Sequence, residues 1–226
     1  MITSRRKTHK LNRTSQFLEP YDVILIVCEG SATEPSYFNK MIERERLSSA
    51  NVCVTGECSS DPLSVVNYAI DKFELRNKDQ NNERKYDRIY CLIDRDEHAN
   101  LNSALDKAFQ YNKNVGSQII TLIKSYPCFE YWYICNFDLF RGSIKRIGNK
   151  SPGAVCESYL NRYWKQEFKK NYNKTDPNNY TLLENKIYDG LKNAKSSLKD
   201  AKAVNEENPS TEVHILIEYL LNLKRK

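Results

Sequence analysis

Acidic side chains follow two apolar segments of the sequence, with a spacing suited to binding a metal ion. The segment ILIVC leads directly into Glu29, and the segment IYCLI leads into Asp94 and Asp96. Side chains two residues apart on an extended chain point the same way, so Asp94 and Asp96 can face one ligand together. If the two segments form neighbouring strands, Glu29 reaches the same ion. Converging carboxylates repel one another unless a cation or protons neutralise them, and all-oxygen ligation suits Mg²⁺ or Mn²⁺.

A second interpretation of these acids is structural. An Asp-x-Asp pair at the end of a strand is often only a turn or the cap of a helix. Acids that directly follow two buried strands are harder to explain in that way, because burying unpartnered polar groups is costly. The joint occurrence of Glu29 with Asp94 and Asp96 therefore favours a functional site.

Short apolar segments alternate with helical patterns through the first half of the chain. The apolar segments predict four strands, and the patterns between them predict three helices. Such alternation is typical of a parallel sheet covered by helices on both faces, where ligands bind outside the carboxyl ends of the strands. The predicted strands are 21–28, 51–55, 86–94 and 117–124, and the predicted helices are 35–47, 61–75 and 101–113.

The second half of the chain has helical patterns and no further predicted strand after Ser125. The fold class predicted is therefore α/β, a parallel sheet of about four strands flanked by helices with a C-terminal helical appendage. We divide the chain into a basic flexible arm (1–20), an α/β core (21–126) and a helical C-terminal region (127–226). The predicted helices of the last part are 128–137, 153–170, 180–202 and 211–223.

Composition excludes several classes of protein. The 226 residues have a formal net charge of +6 and contain no stretch near the roughly 20 apolar residues of a membrane span. The N-terminal residues have no apolar core of a secretory signal. The seven cysteines are odd in number and form no C-x-x-C pair, which favours reduced thiols over a disulfide framework or a zinc site. These features predict a cytoplasmic protein with no membrane partner.

Basic residues are concentrated in two segments. The arm (1–20) and the segment 159–174 each carry five basic residues against one acidic residue, and the second segment is interleaved with aromatic residues. Lysines neutralise phosphates and exposed aromatic rings stack on bases, so Lys165, Lys169 and Lys170 are candidate nucleic-acid contacts. The alternative is a solvated helix whose aromatic side chains pack inward, which the spacing of Trp164 and Phe168 also fits.

Four blocks of the sequence resemble the RloB-like family of bacterial and archaeal defence-associated proteins. In chain order they are VCEGSATEPSYF, CLIDRDEH, SYPCFEYW and NPSTEVHILIEYL, and together they span about 21–223. The family core resembles a Toprim domain, the fold of topoisomerases, primases and OLD-type nucleases. Its signature is a Glu-Gly after the first strand and an Asp-x-Asp after the third, matched here by Glu29-Gly30 and Asp94-x-Asp96. Tyr126 departs from the family pattern, in which Asn commonly precedes the proline.

The resemblance implies roles for the acidic residues. In Toprim nucleases the glutamate of the first strand is a general acid/base or a metal ligand and the paired aspartates hold Mg²⁺, which gives Glu29, Asp94 and Asp96 these roles. Glu34 matches a second glutamate of OLD-type nucleases, although at a helix start its carboxylate equally complements the helix dipole.

Three further residues near these blocks are candidates for the site. Glu130 is an acid in the aromatic stretch CFEYW, and it is either a buried structural ion-pair partner or a carboxylate that serves a second metal ion. Arg95 and Lys124 are candidates for steadying phosphate charge, because phosphoryl transfer depends on clamping developing negative charge.

These residues together predict a Mg²⁺- or Mn²⁺-dependent nuclease that hydrolyses phosphodiesters of DNA or RNA, with Glu29, Glu34, Asp94, Asp96 and Glu130 as its catalytic acids. The resemblance implies a role in anti-phage or abortive-infection defence. It also implies a separate ATPase partner, since the chain has no Walker-type G-x-x-x-x-G-K-[ST] motif. The alternative is a non-catalytic nucleic-acid-binding or regulatory subunit of an ATPase-containing defence system.

Overall fold

Strands and helices alternate through the first half of the chain. The structure, a computed structural model, describes residues 22–47, 51–58, 61–78, 84–95 and 100–223. The predicted basic arm (1–20) lies outside the described residues. The first half consists of β1 (Ile24–Cys28), α1 (Thr33–Arg44), β2 (Val52–Thr55), α2 (Pro62–Lys78), β3 (Arg88–Asp94), α3 (Leu101–Val115) and β4 (Ile120–Tyr126).

The second half is mainly helical, as predicted. It consists of α4 (Glu130–Cys135), α5 (Pro152–Phe168), α6 (Asn179–Leu183), a 3₁₀ turn (Glu184–Lys186), α7 (Ile187–Val204), β5 (Ser210–Thr211) and α8 (Val213–Leu223). The prediction that no strand follows Ser125 is wrong, because the structure has one further short strand, β5. β5 pairs with the end of β4, and a strand of two residues is too short to produce an alternating pattern in the sequence.

The sheet has the strand order β2-β1-β3-β4-β5. The pairs between β2, β1, β3 and β4 are parallel, and only β5 is antiparallel to its neighbour. β1 and β3 lie side by side, with Cys28 in register with Leu92. The predicted α/β class is therefore confirmed, and the two strands followed by acids end at the same edge of the sheet.

Both faces of the sheet are covered, which explains why its strands are apolar without alternation. All five residues of β1 are buried. Leu25 and Val27 pack with α2 and α3 on one face, and Ile24 and Ile26 pack on the other face with α1 and the helices of the second half. The molecule therefore has three layers, with the sheet in the middle.

The helical C-terminal region shares its core with the sheet. Trp132 and Trp164 are fully buried in the same apolar cluster as Ile24, and the indole N–H of Trp132 donates a hydrogen bond to the Tyr37 hydroxyl at 3.0 Å. Trp164 packs against Phe168 with ring centroids 4.9 Å apart. Trp164 therefore faces the core, which is the inward-packed alternative for the segment 159–174.

The structure bears on two further expectations from composition. Among the described residues, no helix is long and apolar enough to cross a membrane. All seven cysteines are free thiols, and five of them are buried.

Candidate functional site

The ends of β1 and β3 bring Glu29 and Asp94 into direct contact. The backbone N–H of Asp94 donates a hydrogen bond to Oε2 of Glu29 at 3.0 Å. Glu29 is only 7% exposed, and Asp94 is half-buried. Asp96, the third predicted metal ligand, lies outside the described residues. Two of the three predicted ligands are thus adjacent at the carboxyl edge of the sheet.

Glu34 joins this edge from the first turn of α1. Its buried carboxylate folds back over Gly30, where a Cβ would lie 2.6 Å from Oε2 of Glu34. Burial raises the pKa of Glu34 to about 7, and the charges of Glu130 and Glu29 raise it too, against the opposing effect of backbone hydrogen bonds. Glu34 therefore shares the electrostatic environment of Glu29 as well as lying at a helix start. A side chain at position 30 would therefore displace the Glu34 carboxylate from its present place.

Glu130 reaches the same region from the first turn of α4, and the structure confirms that it has an ion-pair partner. It is 5% exposed, its Oε1 lies 3.5 Å from the Lys174 ammonium, and the Tyr172 hydroxyl donates to it at 3.4 Å. The ammonium of Lys174 also lies 3.1 Å from Glu157. Although burial lowers the pKa of Lys174, the Glu130 and Glu157 carboxylates raise it above its ordinary value. Glu130 is thus a buried carboxylate held by an ammonium and a phenol.

Two buried thiols lie within the electrostatic reach of three of these acids. Burial raises the pKa of Cys28, and the charges of Glu34 and Asp94 add to this effect. A hydrogen bond with Cys156 and burial raise the pKa of Cys128, and the charges of Glu130 and Asp94 contribute. Asp94 therefore acts on one thiol that also senses Glu34 and on another that also senses Glu130. We call Glu29, Glu34, Asp94 and Glu130 the acid cluster.

The donors of the acid cluster fit a hard divalent cation, because all of them are carboxylate oxygens. Burial raises the pKa of Glu34 most, and the charges of Glu130 and Glu29 add to the rise. Among the described residues, no three His, Cys, Asp or Glu side chains are grouped closely enough to hold a metal ion. A centre of the predicted kind would therefore use Glu29 and Asp94 together with Asp96.

The two cations predicted to steady phosphate charge line one small pocket, and each is paired with a carboxylate. Arg95 directly follows Asp94, pairs with Glu207, and its guanidinium lies 5.6 Å from the centre of the Tyr126 ring. The ammonium of Lys124 lies 3.5 Å from Glu212. Lys124 is in register with Ile93, so alternation along the strands places its side chain on the face opposite to that of Asp94. Arg95 and Lys124 therefore lie together, and Arg95 is the one of the two that is next to Asp94 in the chain.

The three lysines predicted from the segment 159–174 are exposed at the end of α5. Lys170 lies 3.0 Å from Asp176, and the ammonium of Lys169 donates to the carbonyl of Gln166 at 2.7 Å. Lys165 lies in the last turn of the helix. That these lysines contact nucleic acid stays a prediction. Because Trp164 faces the core, it does not stack on a base.

The loop 141–150, which we call the basic loop, was not among the predicted site residues. It contains Arg141, Lys145, Arg146 and Lys150 and no acidic residue, a signal that is present in the sequence. Part of the loop lines a cleft of about 680 Å³ together with Arg95 and Tyr126. The partners of Glu130, by contrast, have no signal in the sequence, because they come from a distant part of the chain.

Gly56 supports the turn that carries the acids, and we expect its replacement to be destabilising. A Cβ on Gly56 would lie 2.4 Å from the carbonyl oxygen of Gly30 and 2.9 Å from Cα of Ser31. Because these atoms are backbone, Gly56→Ala must displace the turn, and we expect a loss of about 1–3 kcal/mol in the free energy of unfolding.

Urea denaturation measures this loss, with Gly153→Ala as the control. The nearest atom to a Cβ at Gly153 is 3.9 Å away, so that change should alter the free energy of unfolding by less than about 1 kcal/mol. Equal stability of the two variants would contradict the tight approach at Gly56.

Comparisons with known proteins identify a family and nothing more specific. Searches of curated proteins and of solved structures find no significant match. A family model described as RloB-like protein matches residues 24–220, which is most of the chain and includes every described member of the acid cluster. This match confirms the resemblance carried by the four sequence blocks, and the chain belongs to the RloB-like family.

Proposed function

We propose that this chain is a Mg²⁺-dependent nuclease with a Toprim-like core, in which Mn²⁺ can replace Mg²⁺. The observation that carries the proposal is the direct contact of Glu29 with Asp94 where two neighbouring parallel strands end. Buried acids at the carboxyl edge of such a sheet occupy the position where ligands of open α/β sheets bind. The nearby carboxylates of Glu34 and Glu130 add negative charge that a cation would neutralise.

The proposed chemistry is hydrolysis of a phosphodiester. Glu29, Asp94 and Asp96 would hold the cation, which when bound supplies Lewis-acid stabilisation of the phosphoryl oxygens. Glu29 accepts a proton from the water that attacks phosphorus, the P–O bond to the leaving oxygen breaks, and solvent water supplies the proton that this oxygen takes up. The position of Glu29 is set by the hydrogen bond from the Asp94 backbone. Arg95 lies next to Asp94 in the chain and steadies the phosphate charge after exchanging its contact with Glu207.

Glu130 has a positioning role in this proposal. Lys174 and Tyr172 hold its carboxylate in one place and partly neutralise it. A second cation would compete with Lys174 for this carboxylate. Because Glu130 and Glu34 influence each other electrostatically, binding of positive charge at either carboxylate favours ionisation of the other.

Family membership supports the biological part of the proposal. We infer a role in anti-phage or abortive-infection defence, in the cytoplasm, together with a separate ATPase. The sequence itself has no Walker-type phosphate-binding motif, so ATP-driven steps would need that partner.

The second candidate function is a non-catalytic nucleic-acid-binding or regulatory subunit. The ion pairs of Arg95 with Glu207 and of Lys124 with Glu212 favour it, because both predicted phosphate-steadying cations already have carboxylate partners. In that case the acid cluster would bind a structural cation.

A cleavage assay separates the two candidates. Purified protein is incubated with single- and double-stranded DNA and RNA, in Mg²⁺, in Mn²⁺ and in EDTA. We expect cleavage of at least one substrate in either metal and none in EDTA, because the proposed chemistry needs the cation. Binding without cleavage in every condition, including with the ATPase partner added, would instead establish the second candidate.

A further inference from the structure

The basic loop is firmly anchored at its base. Ile144 is fully buried, its backbone N–H donates to Oδ1 of Asn208 at 3.0 Å, and its carbonyl accepts from Nδ2 of Asn208 at 2.9 Å. Arg141 forms an ion pair with Asp200. At its far end the loop leads into α5, whose first turn is capped by Ser151. These contacts preorganise the loop, so a ligand need not order it on binding.

The tip of the basic loop presents an apolar side chain between cations. Ile147 and Lys150 exchange backbone hydrogen bonds of 3.2 and 3.1 Å, which close a tight turn over Gly148 and Asn149. Gly148 has φ of 58°, a conformation that favours glycine. Ile147 is 59% exposed, and it stands next to Arg146. The Ile147 side chain is therefore accessible to a ligand that contacts the neighbouring cations.

The basic loop and the residue that follows Asp94 line the same cleft. Lys145 and Arg146 line one part of the 680 Å³ cleft, and Arg95 and Tyr126 line another part. Asp94 is in register with Ser125, so Arg95 and Tyr126 each lie one residue beyond this pair. The cleft therefore includes the residue that follows Asp94 in the chain.

The cleft also contains acids, which limits how many phosphates it can accept. Glu206 and Glu207 line it, and Glu207 pairs with Arg95. Among the described residues, Lys145 has no ion-pair partner, so its charge is available to a ligand. The excess of positive charge lies on the side of the basic loop.

We propose that the basic loop binds the sugar–phosphate backbone of a nucleic-acid strand in this cleft. Lys145 and Arg146 contact phosphates, and Ile147 packs against a base, as apolar wedges of other nucleic-acid-binding proteins do. A strand can enter the cleft and lie against Arg95, the residue that follows Asp94, whereas a membrane surface would touch only the tip. This inference rests on the proposed function, because it names the surface that delivers a nucleic-acid substrate to the acid cluster.

Binding measured in EDTA tests the two cations without cleavage. Fluorescence anisotropy with labelled single- and double-stranded DNA and RNA gives the dissociation constant across a salt series. For Lys145→Ala/Arg146→Ala we expect affinity to fall on the order of tenfold per lost contact at 0.1 M salt. The log–log salt slope should flatten by about 0.7–0.9 per contact, because fewer counterions are released.

The control is Lys107→Ala/Lys113→Ala on α3, which removes two exposed positive charges on the opposite face of the sheet. Its affinity should change little and its salt slope should stay as in the wild type. Equal effects of the two double variants would overturn the inference, because the basic loop would then contribute only net charge.

Ile147→Ala gives an independent signature. Loss of an apolar contact should weaken binding by roughly tenfold at every salt concentration, with no change of slope, because no counterion is involved. Unchanged affinity of Ile147→Ala would overturn the assignment of the tip to a base contact.

Cleavage measured in parallel separates this inference from the proposed function. If the wild type cleaves no substrate but Lys145→Ala/Arg146→Ala still weakens binding, the basic-loop inference is supported and the nuclease proposal is wrong. If the wild type cleaves its substrate but the double variant binds as tightly as the control, only the basic-loop inference is wrong. Wild-type binding to phosphatidylserine vesicles but to no nucleic acid, if it depends on these two residues, overturns the inference in favour of a lipid surface.

Discussion

Replacing Glu29 with glutamine should slow nucleic-acid cleavage by roughly 10²–10⁴-fold, which is the usual contribution of a positioned general base. The amide oxygen of glutamine can still accept the hydrogen bond from the Asp94 backbone, which Oε2 of Glu29 accepts at 3.0 Å. The variant therefore keeps the geometry of the edge and loses the negative charge and the basicity. Nucleic-acid binding should persist or tighten, because one charge that repels phosphate is removed.

Single-turnover cleavage at saturating protein measures the chemical step, and binding in EDTA measures affinity. Glu43→Gln is the matched control, since Glu43 is an exposed glutamate on α1 whose partner is Lys40. Its cleavage rate should equal that of the wild type. If Glu29→Gln cleaves as fast as Glu43→Gln, Glu29 has no role in proton transfer, whatever its effect on metal affinity.

The double change Asp94→Asn/Asp96→Asn should weaken Mn²⁺ binding on the order of a hundredfold or more. Carboxylates are the preferred ligands of such cations, and neutral amides lose the charge that holds the ion. The fold should survive, because removing mutual repulsion among the acids offsets the interactions that are lost. Isothermal titration calorimetry gives the affinity, and thermal unfolding confirms that the variant is folded.

The matched control for this change is Asp71→Asn/Asp106→Asn, which alters two exposed aspartates on α2 and α3. It removes the same number of charges far from the carboxyl edge of β3, and its Mn²⁺ affinity should match that of the wild type. Equal affinity of all three proteins would show that Asp94 and Asp96 do not hold the cation.

The sheet and its acidic edge follow from simple patterns. Unbroken apolar segments predict strands buried on both faces, and the acids directly after them predict a site at their carboxyl ends. The contact of Glu29 with Asp94 confirms that the two segments are neighbours. In the segment 159–174, the helical spacing of Trp164 and Phe168 predicted inward packing, and the mixture of aromatic and basic residues predicted base stacking. Trp164 is buried, so the helical spacing was the better guide.

Other features depend on contacts between distant parts of the chain. Tyr172 lies beyond the end of α5, and its hydroxyl donates a hydrogen bond to Glu130, 42 residues away in the chain. Nothing in the sequence around either residue indicates this pairing. β5 is recognisable only from its pairing with β4. The charge of the basic loop is visible in the sequence, but its position opposite Arg95 requires the folded chain.

Reversible metal dependence of cleavage tests the central claim most directly. The wild type is mixed with its substrate in Mg²⁺, then EDTA is added in excess, and finally Mg²⁺ is restored above the EDTA concentration, while products are followed in one time course. A metal-dependent nuclease predicts products that accumulate, stop on chelation and resume on restoration. Cleavage that continues unchanged in excess EDTA, or no cleavage of any DNA or RNA in either metal, would contradict this account.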